Sequence, residues 1–307
     1  MTKVKIQFIK PGMMTTIQDA GRLGFLQYGV PKGGALDVRA MQMANWLVGN
    51  KLENAVLEIT MMGPTIEFDN ACQIAVTGAS MPLKINGLEA NCCECLQINK
   101  GTVISFGRLV SGCRGYLAIG GKWKVDSWLG SKSAFFFGRQ NTTPESLIKK
   151  GSVVEIEPNS ISNRQLPIVP VTDTSEKIKV VKGPEFDFFS KEFIGYFFSR
   201  KFRISPESNR MGYRLEKRIE SYQAKRIISS GIIPGTIQIT PSGQAVVLLS
   251  DAQTIGGYPR IANVIVADLD LLAQKKPGDD LEFELVDLTT ANELRKGKNK
   301  KFEFLKN

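Results

Sequence analysis

The stretch Gly235–Leu269, "GTIQITPSGQAVVLLSDAQTIGGYPRIANVIVADL", decides the architecture. Its apolar runs TIQIT, AVVLLS and NVIVADL are short and bounded by Gly, Pro, Ser, Asn or Asp, the pattern of strands joined by tight turns. Outward from it the same pattern recurs: KVKIQFI, AVLEIT, TIEF, QIAVTG, PLKI, TVISFG, GYLAIGG, SVVEIEP, KIKVVKG and LEFELVDL. Asn86-Gly87 after PLKI has the signature of a two-residue hairpin turn. Many short strands at this spacing predict a mainly β protein of sandwich or barrel type with a few short helices.

Two helices are expected. "ALDVRAMQMANWLVGN" puts Leu36, Ala40, Met43, Ala44 and Leu47 on one stripe and stops at Gly49-Asn50. A second, around Asp187 to Ser199, aligns Phe189, Phe193 and Phe197. Both stripes read as core contacts. The text from Pro158 to Lys177 loses periodicity and gains Pro, Ser and Asn, so it reads as a linker. At 307 residues the chain suits two cores better than one. The expected domains are a β-rich one over 1–165 and a second β domain over 166–292. A basic tail over 293–307 is expected to be solvated and partly disordered.

Apolar residues make up 42% of the chain and charged ones 23%, an ordinary globular balance. The net charge is +10, but the tail from Arg295 holds six basic residues against one acid. That excess does not cover a face of the fold, which weighs against a nucleic-acid partner. No apolar run approaches the ~20 residues of a membrane helix. The N-terminus lacks a signal-like apolar core, so the expectation is a cytoplasmic protein with no membrane partner. Five cysteines, three of them in "CCEC", fit reduced, buried thiols on a strand better than disulfides or a zinc site, and no bound metal is expected.

The chain contains no histidine. Ser-His-Asp and Cys-His nucleophile systems, a histidine base and most catalytic zinc sites are excluded. Neither a GxxxxGK[ST] phosphate loop nor a GxGxxG turn after a strand is present. Proton transfer must use carboxylates, Lys, Tyr, Cys or water.

Three polar segments go beyond what a β fold demands. In "TTIQDAGRLGFLQYGVPKGGALD" (Thr15–Asp37) glycines surround Asp19, Arg22, Lys32 and Asp37 ahead of a helix N-terminus. An anion could be held there, or the glycines could merely turn corners. In "SPESNRMGYRL" the forked guanidinium groups of Arg210 and Arg214 suit carboxylate or phosphate oxygens, or pair with Glu207 and Glu216. Within Ser250–Val264 the strand AVVLLS delivers Asp251 at its end. Asp251, Gln253, Thr254 and Tyr258 there offer acceptors and donors that match a planar amide. Gly256 and Gly257 hinge this loop, and Pro259 fixes its exit.

These motifs carry a resemblance. "TTIQDAGRLGFLQYGVPKGGALD", "ANWLVGN", "AVLEIT", "GYLAIGG", "WLGSKS", "NRMGYRL" and "PGTIQITPSGQAVVLLSDAQTIGGYPRIANVIVADLDLLAQKKPGDDLEF" are similar in order and spacing to the allophanate hydrolase subunit 2 family. The family is also called biotin-dependent carboxyltransferase-like or Kip-type A. The likeness runs from about Gly12 to Val286. Two departures are Gly33-Gly34-Ala35-Leu36-Asp37, where members often read SGAMD, and Ile255, where the second threonine of QTTGGYP is usual.

The resemblance implies two β-barrel-like domains, the C-terminal one cyclophilin-like. It implies a component of a prokaryotic ATP-dependent 5-oxoprolinase, active only in complex, with Mg²⁺ accompanying ATP. The implied partners are two further 5-oxoprolinase components, one of the allophanate hydrolase subunit 1 (Kip-type I) family and one of the LamB/YcsF family. Two other roles stay open: a biotin-dependent carboxyltransferase acting on urea or a related amide, and a non-catalytic Kip-type regulator that antagonises a kinase inhibitor. In the oxoprolinase reading Asp251, Tyr258 and Arg210 are the catalytic candidates. Gln253, Thr254, Gly256, Gly257, Arg214, Asp19, Arg22 and Asp37 are the substrate-binding candidates. An unstrained lactam is a poor electrophile because of amide resonance, and phosphorylation of its oxygen would overcome this. Donors around the developing charge suffice, and no histidine is required.

Overall fold

Alternation sets the first sheet. Along Val4–Lys10 the side chains of Val4, Ile6 and Phe8 are fully buried while Lys5 and Gln7 face outward, as a half-buried strand requires. The computed structural model of the chain describes residues 2–137, 140–141, 143–167, 175–219, 222 and 227–306. It divides into two units, Met1–Arg22 with Gly33–Asp173 and Leu23–Lys32 with Thr174–Asn307. The linker expected between Pro158 and Lys177 is tied to the first unit at its start. There Asn159 donates to Val48 O, Ser162 to Leu47 O and Arg164 to Trp46 O. Its residues 168–174 lie outside the described residues.

The first unit has two main sheets. One runs in the order Lys122–Lys124, Val153–Glu157, Val4–Lys10, Thr65–Phe68, Val103–Phe106, Leu83–Ile85 and Leu88–Ala90. The other runs Met14–Gln18, Val56–Thr60, Ser111–Ile119, Cys72–Ser80 and Leu96–Ile98. Their apolar faces join in one core that includes Ile6, Phe68 and Ile104 from the first and Ile17, Leu57 and Leu117 from the second. Asn86 and Gly87 both have positive φ, 50° and 85°, between paired strands. That is the primed hairpin geometry whose twist matches its strands. The helix Val38–Leu47 starts where Asp37 accepts a hydrogen bond from Ala40 N at 2.9 Å. Its buried residues include Ala40, Met43, Ala44 and Leu47 of the expected stripe, with Met41 and Asn45 beside them, and it packs on Cys72–Ser80 and Ser111–Ile119.

The second unit is a barrel. Its strands run Lys201–Arg203, Asp280–Leu285, Lys177–Lys182, Arg260–Val264, Thr236–Ile239, Ala245–Leu248 and Gly212–Arg214. The first and last of these are joined by an Ile204–Leu215 bridge, flanked by Ser205 N to Arg214 O at 2.9 Å and Glu216 N to Arg203 O at 2.8 Å. The sheet thus closes on itself around Ile178, Val180, Phe202, Ile237, Val247 and Leu281. The helix Lys191–Phe198 brings Phe193 and Phe197 to this core, with Phe197 stacked on Phe283. The mainly β expectation with few short helices holds.

Two expectations are corrected. The tail is ordered: Leu288–Lys301 is a helix, capped by Asp287, which accepts from Thr290 N at 2.7 Å. Lys298 pairs with Asp270 at 3.0 Å, and Leu305 is buried. An acid at the N-cap and Lys298, Lys300 and Lys301 in the last turn all complement the helix dipole, which offsets their mutual repulsion. Gly297 sits inside this helix with open space where a Cβ would go. Gly297→Ala is therefore expected to stabilise the helix by about 1 kcal/mol, seen as a gain in helical circular dichroism without loss of thermal stability.

The second correction concerns the thiols. Cys92, Cys93 and Cys95 are half-buried in the turn between Leu88–Ala90 and Leu96–Ile98, not on a strand; only Cys72 and Cys113 are strand residues. Cys93 takes positive φ (64°) there, which ends the pairing. Burial pushes the Cys72 thiol up to about 12 and that of Cys93 up to about 11, so neither is a ready nucleophile at neutral pH.

One ion pair gives the second unit a pH response. Hydrogen bonds from Arg260, including Nε to Glu185 Oε2 at 2.7 Å, hold the Glu185 carboxyl below its ordinary value of 4.5 against partial burial. A depressed folded pKa adds stability that is fully present above the unfolded value and lost as pH falls through the folded one. Glu185→Gln is expected to flatten the fall in stability below pH 4.5 and to leave the curve between pH 6 and 8 parallel to wild type, measured by denaturant titration at a series of pH values.

Candidate functional site

The strands Thr236–Ile239, Ala245–Leu248 and Gly212–Arg214 present two different faces. Ile237, Val247 and Tyr213 lie opposite one another and point into the barrel. The alternate residues Gln238, Val246 and Arg214, with Gly212 and Leu248, form the other face. Over that face lies a cavity of about 240 Å³, lined also by Glu207, Asn209, Met211, Thr240, Gln253 and Tyr258. Its apolar part is Met211, Val246 and Leu248, and Ile232 and Ala252 pack against Leu248 beside it.

The polar lining is underused by the protein. The side chains of Arg214, Gln253 and Tyr258 make no hydrogen bond or ion pair among the described residues. Gln238 is buried, yet its carboxamide makes a single hydrogen bond among them, Nε2 to Tyr258 O at 3.3 Å. Donors and acceptors without internal partners, lining a partly apolar cleft open to solvent, are what a small polar ligand needs.

Of the expected site residues, the structure brings Arg214, Gln253 and Tyr258 to this cavity. Arg210 and Asp251 meet beside it. Arg210 Nε donates to Asp251 Oδ2 at 2.8 Å and Nη2 to Oδ1 at 3.1 Å, while Asp251 N donates back to Arg210 O. This forked pair ties the strand-end loop to the segment before Gly212–Arg214. Thr254 is buried, and its carbonyl accepts from Ile232 N at 3.0 Å. Gly256 pairs with Ser230, and a Cβ on it would lie 2.5 Å from Gln238 Nε2. Gly257 lies against Ser229, and Ile255 is exposed.

Asp19, Arg22 and Asp37 belong to the first unit, and all are buried. Asp19 accepts from the hydroxyls of Ser131 and Ser133 at 2.6 Å each, from Lys132 N and from Gly21 N. Arg22 donates to Ser133 O and lies over the rings of Trp128 and Phe135. Asp37 caps its helix, and its N–H donates to the Tyr116 hydroxyl, which in turn donates to Glu58. Burial and the Glu58 carboxylate push the Tyr116 phenol well above its usual range, so it remains a donor. The oxygens of Asp19 are thus committed to internal donors that shape the glycine-rich loop.

Sequence reasoning missed Gln238, Asn209, Met211 and Thr240. The available signal was a polar residue at the centre of TIQIT, one strand from the loop that carries Asp251 and Tyr258. Among the described residues no group of three or more His, Cys, Asp and Glu side chains is placed to hold a metal ion, and no helix is long and apolar enough to cross a membrane.

Comparison with known proteins fits this architecture. The chain is 35% identical over 301 residues to the 5-oxoprolinase C subunit of Escherichia coli (strain K12), covering 98% of this chain and 97% of that protein. It is 31% identical over 282 residues to the 5-oxoprolinase C subunit of Haemophilus influenzae, covering 92% of this chain and 91% of that protein. The crystal structure of Kluyveromyces lactis urea carboxylase superposes with a TM-score of 0.87 at 27% identity, over 98% of this chain and 29% of that one. A family model described as carboxyltransferase domain, subdomain A and B, matches residues 28–285, and the chain belongs to that family.

Proposed function

We propose that the chain is the C subunit of an ATP-dependent 5-oxoprolinase that opens 5-oxo-L-proline to L-glutamate. The observation that carries this reading is the cavity whose Arg214, Gln253 and Tyr258 lack internal partners above an apolar floor. Identity of 35% over nearly the whole of the Escherichia coli protein supports the choice of substrate. Arg214 would take the substrate carboxylate, and Gln253 and Tyr258 would face the lactam. The Arg210–Asp251 pair holds the loop in place, and Thr254, Gly256 and Gly257 give it its shape. Asp19, Arg22 and Asp37 are held by internal contacts of the first unit.

In this reaction the γ-phosphoryl group of ATP passes to the lactam oxygen and ADP leaves. Water adds at the ring carbon, the C–N bond breaks with a proton going to nitrogen, and a second water releases phosphate. The chain's contribution is to hold and orient the ring. ATP would arrive with Mg²⁺, and the partners would be one 5-oxoprolinase component of the Kip-type I family and one of the LamB/YcsF family.

The likeness to urea carboxylase favours a second reading, carboxyl transfer to urea or a related amide from a biotinylated carrier. Coexpression with the two partner proteins separates them. ATP-dependent release of glutamate and phosphate from 5-oxoproline is the expected result. No glutamate, with carboxylation of urea when a biotinylated carrier is supplied, would replace the first reading by the second.

A further inference from the structure

Gln238 stands out among the lining residues because it is almost wholly buried and yet its side chain makes one hydrogen bond among the described residues and its carbonyl oxygen makes none. It is 2% exposed and lies on the strand Thr236–Ile239, a rigid element rather than a loop. Its orientation is fixed by chemistry: the group facing it at 3.3 Å is the Tyr258 carbonyl oxygen, which only a donor can approach, so the amide nitrogen lies there. The carbonyl end, Oε1, takes no hydrogen bond among the described residues, and the residue lines the cavity. Gly256 makes this placement possible, since any side chain at that position would start 2.5 Å from Gln238 Nε2.

We infer that Gln238 is a specificity-determining residue whose Oε1 accepts the N–H of a secondary amide in the cavity, so that the site selects a cyclic amide bearing N–H over its N-alkylated counterpart. The inference rests on the lactam reading of the same cavity and deepens it. A buried acceptor left empty by an N-alkyl ligand carries a desolvation cost, and that asymmetry, rather than the bond's net strength, produces selection. The cationic Arg214, on the far side of the strand Ala245–Leu248 from Gln238, recognises a different part of the ligand, so the two contacts are separable. Gly256 and the Tyr258 carbonyl act through Gln238 and are positioning elements.

The test compares 5-oxo-L-proline with N-methyl-5-oxo-L-proline in the assembled complex, for wild type, Gln238→Leu and Gln238→Glu. Wild type is expected to favour the N–H substrate. Gln238→Leu should lose about tenfold to a hundredfold in kcat/KM for it, mostly in KM, and bring the two substrates to within a few fold. Gln238→Glu keeps an acceptor oxygen in the cavity but sets a second oxygen against the Tyr258 carbonyl, so it should raise KM for both substrates while still preferring the N–H one. An unchanged preference in Gln238→Leu overturns the inference while leaving the oxoprolinase reading intact.

If the wild-type complex releases no glutamate, the oxoprolinase reading fails and calorimetric binding of 2-pyrrolidinone and N-methyl-2-pyrrolidinone to the full chain decides the inference instead. Preference for the N–H lactam that disappears in Gln238→Leu supports it. Equal or absent binding of the two lactams by wild type overturns it. Thermal unfolding of each variant alongside wild type identifies any loss due to misfolding, and Gln238→Met, of similar volume, replaces Gln238→Leu if the latter unfolds.

Discussion

Asp251→Ala is expected to destabilise the second unit by about 1.5–3 kcal/mol, because it removes the forked, charge-assisted hydrogen bonds that Arg210 donates to this carboxylate. The Arg210 side chain is 7% exposed and that of Asp251 14%, and two parallel hydrogen bonds join them. The loop after the strand Ala245–Leu248 also loses its tie to the segment before Gly212–Arg214. Denaturant titration should show a lower midpoint with an unchanged slope. Asp251→Asn, which keeps one acceptor oxygen for Arg210, should lose less than Asp251→Ala. A wild-type midpoint for Asp251→Ala would mean that the Arg210–Asp251 pair adds nothing to the stability of the unit.

Arg214→Ala is expected to do the opposite: leave stability within about 0.5 kcal/mol of wild type but lower kcat/KM for 5-oxoproline in the assembled complex by about a hundredfold. Arg214 lies one strand pair from Val246, is exposed, and makes no ion pair among the described residues. Nothing in the fold depends on its charge, so its truncation should register only when an anionic ligand binds. Gln253→Ala provides the neutral comparison, expected to weaken binding by a smaller factor than loss of the cation. Equal activity of wild type and Arg214→Ala would remove the carboxylate from this cavity. The two arginines are four residues apart, yet one belongs to the framework and the other to the opening.

That contrast marks the limit of what the sequence makes legible. Strands announce themselves through short Val- and Ile-rich runs and through turns such as Asn86-Gly87, whose residue types match the positive φ values found there. Arg214, Gln253 and Tyr258 were recognisable as polar groups that a β fold does not need. Nothing in "NRMGYRL" distinguishes Arg210 from Arg214, because the difference lies in a partner forty-one residues away. Gln238 was legible as a polar residue at the centre of TIQIT but its placement was not, because a glutamine facing open water and one lining a cleft read alike there. The C-terminal helix was hidden by composition, since six basic residues suggest solvation until the Asp287 cap, the Lys298–Asp270 pair and the buried Leu305 are seen together.

The Ile204–Leu215 bridge has a consequence for assembly. By joining the outermost strands of the seven-stranded sheet it leaves that sheet no open row of amides and carbonyls on which a foreign strand could template itself. A neighbouring polypeptide cannot extend this sheet by backbone pairing, the commonest undirected route to aggregation for β proteins. Association through the barrel must be read from side chains, which makes its recognition selective and open to change one residue at a time.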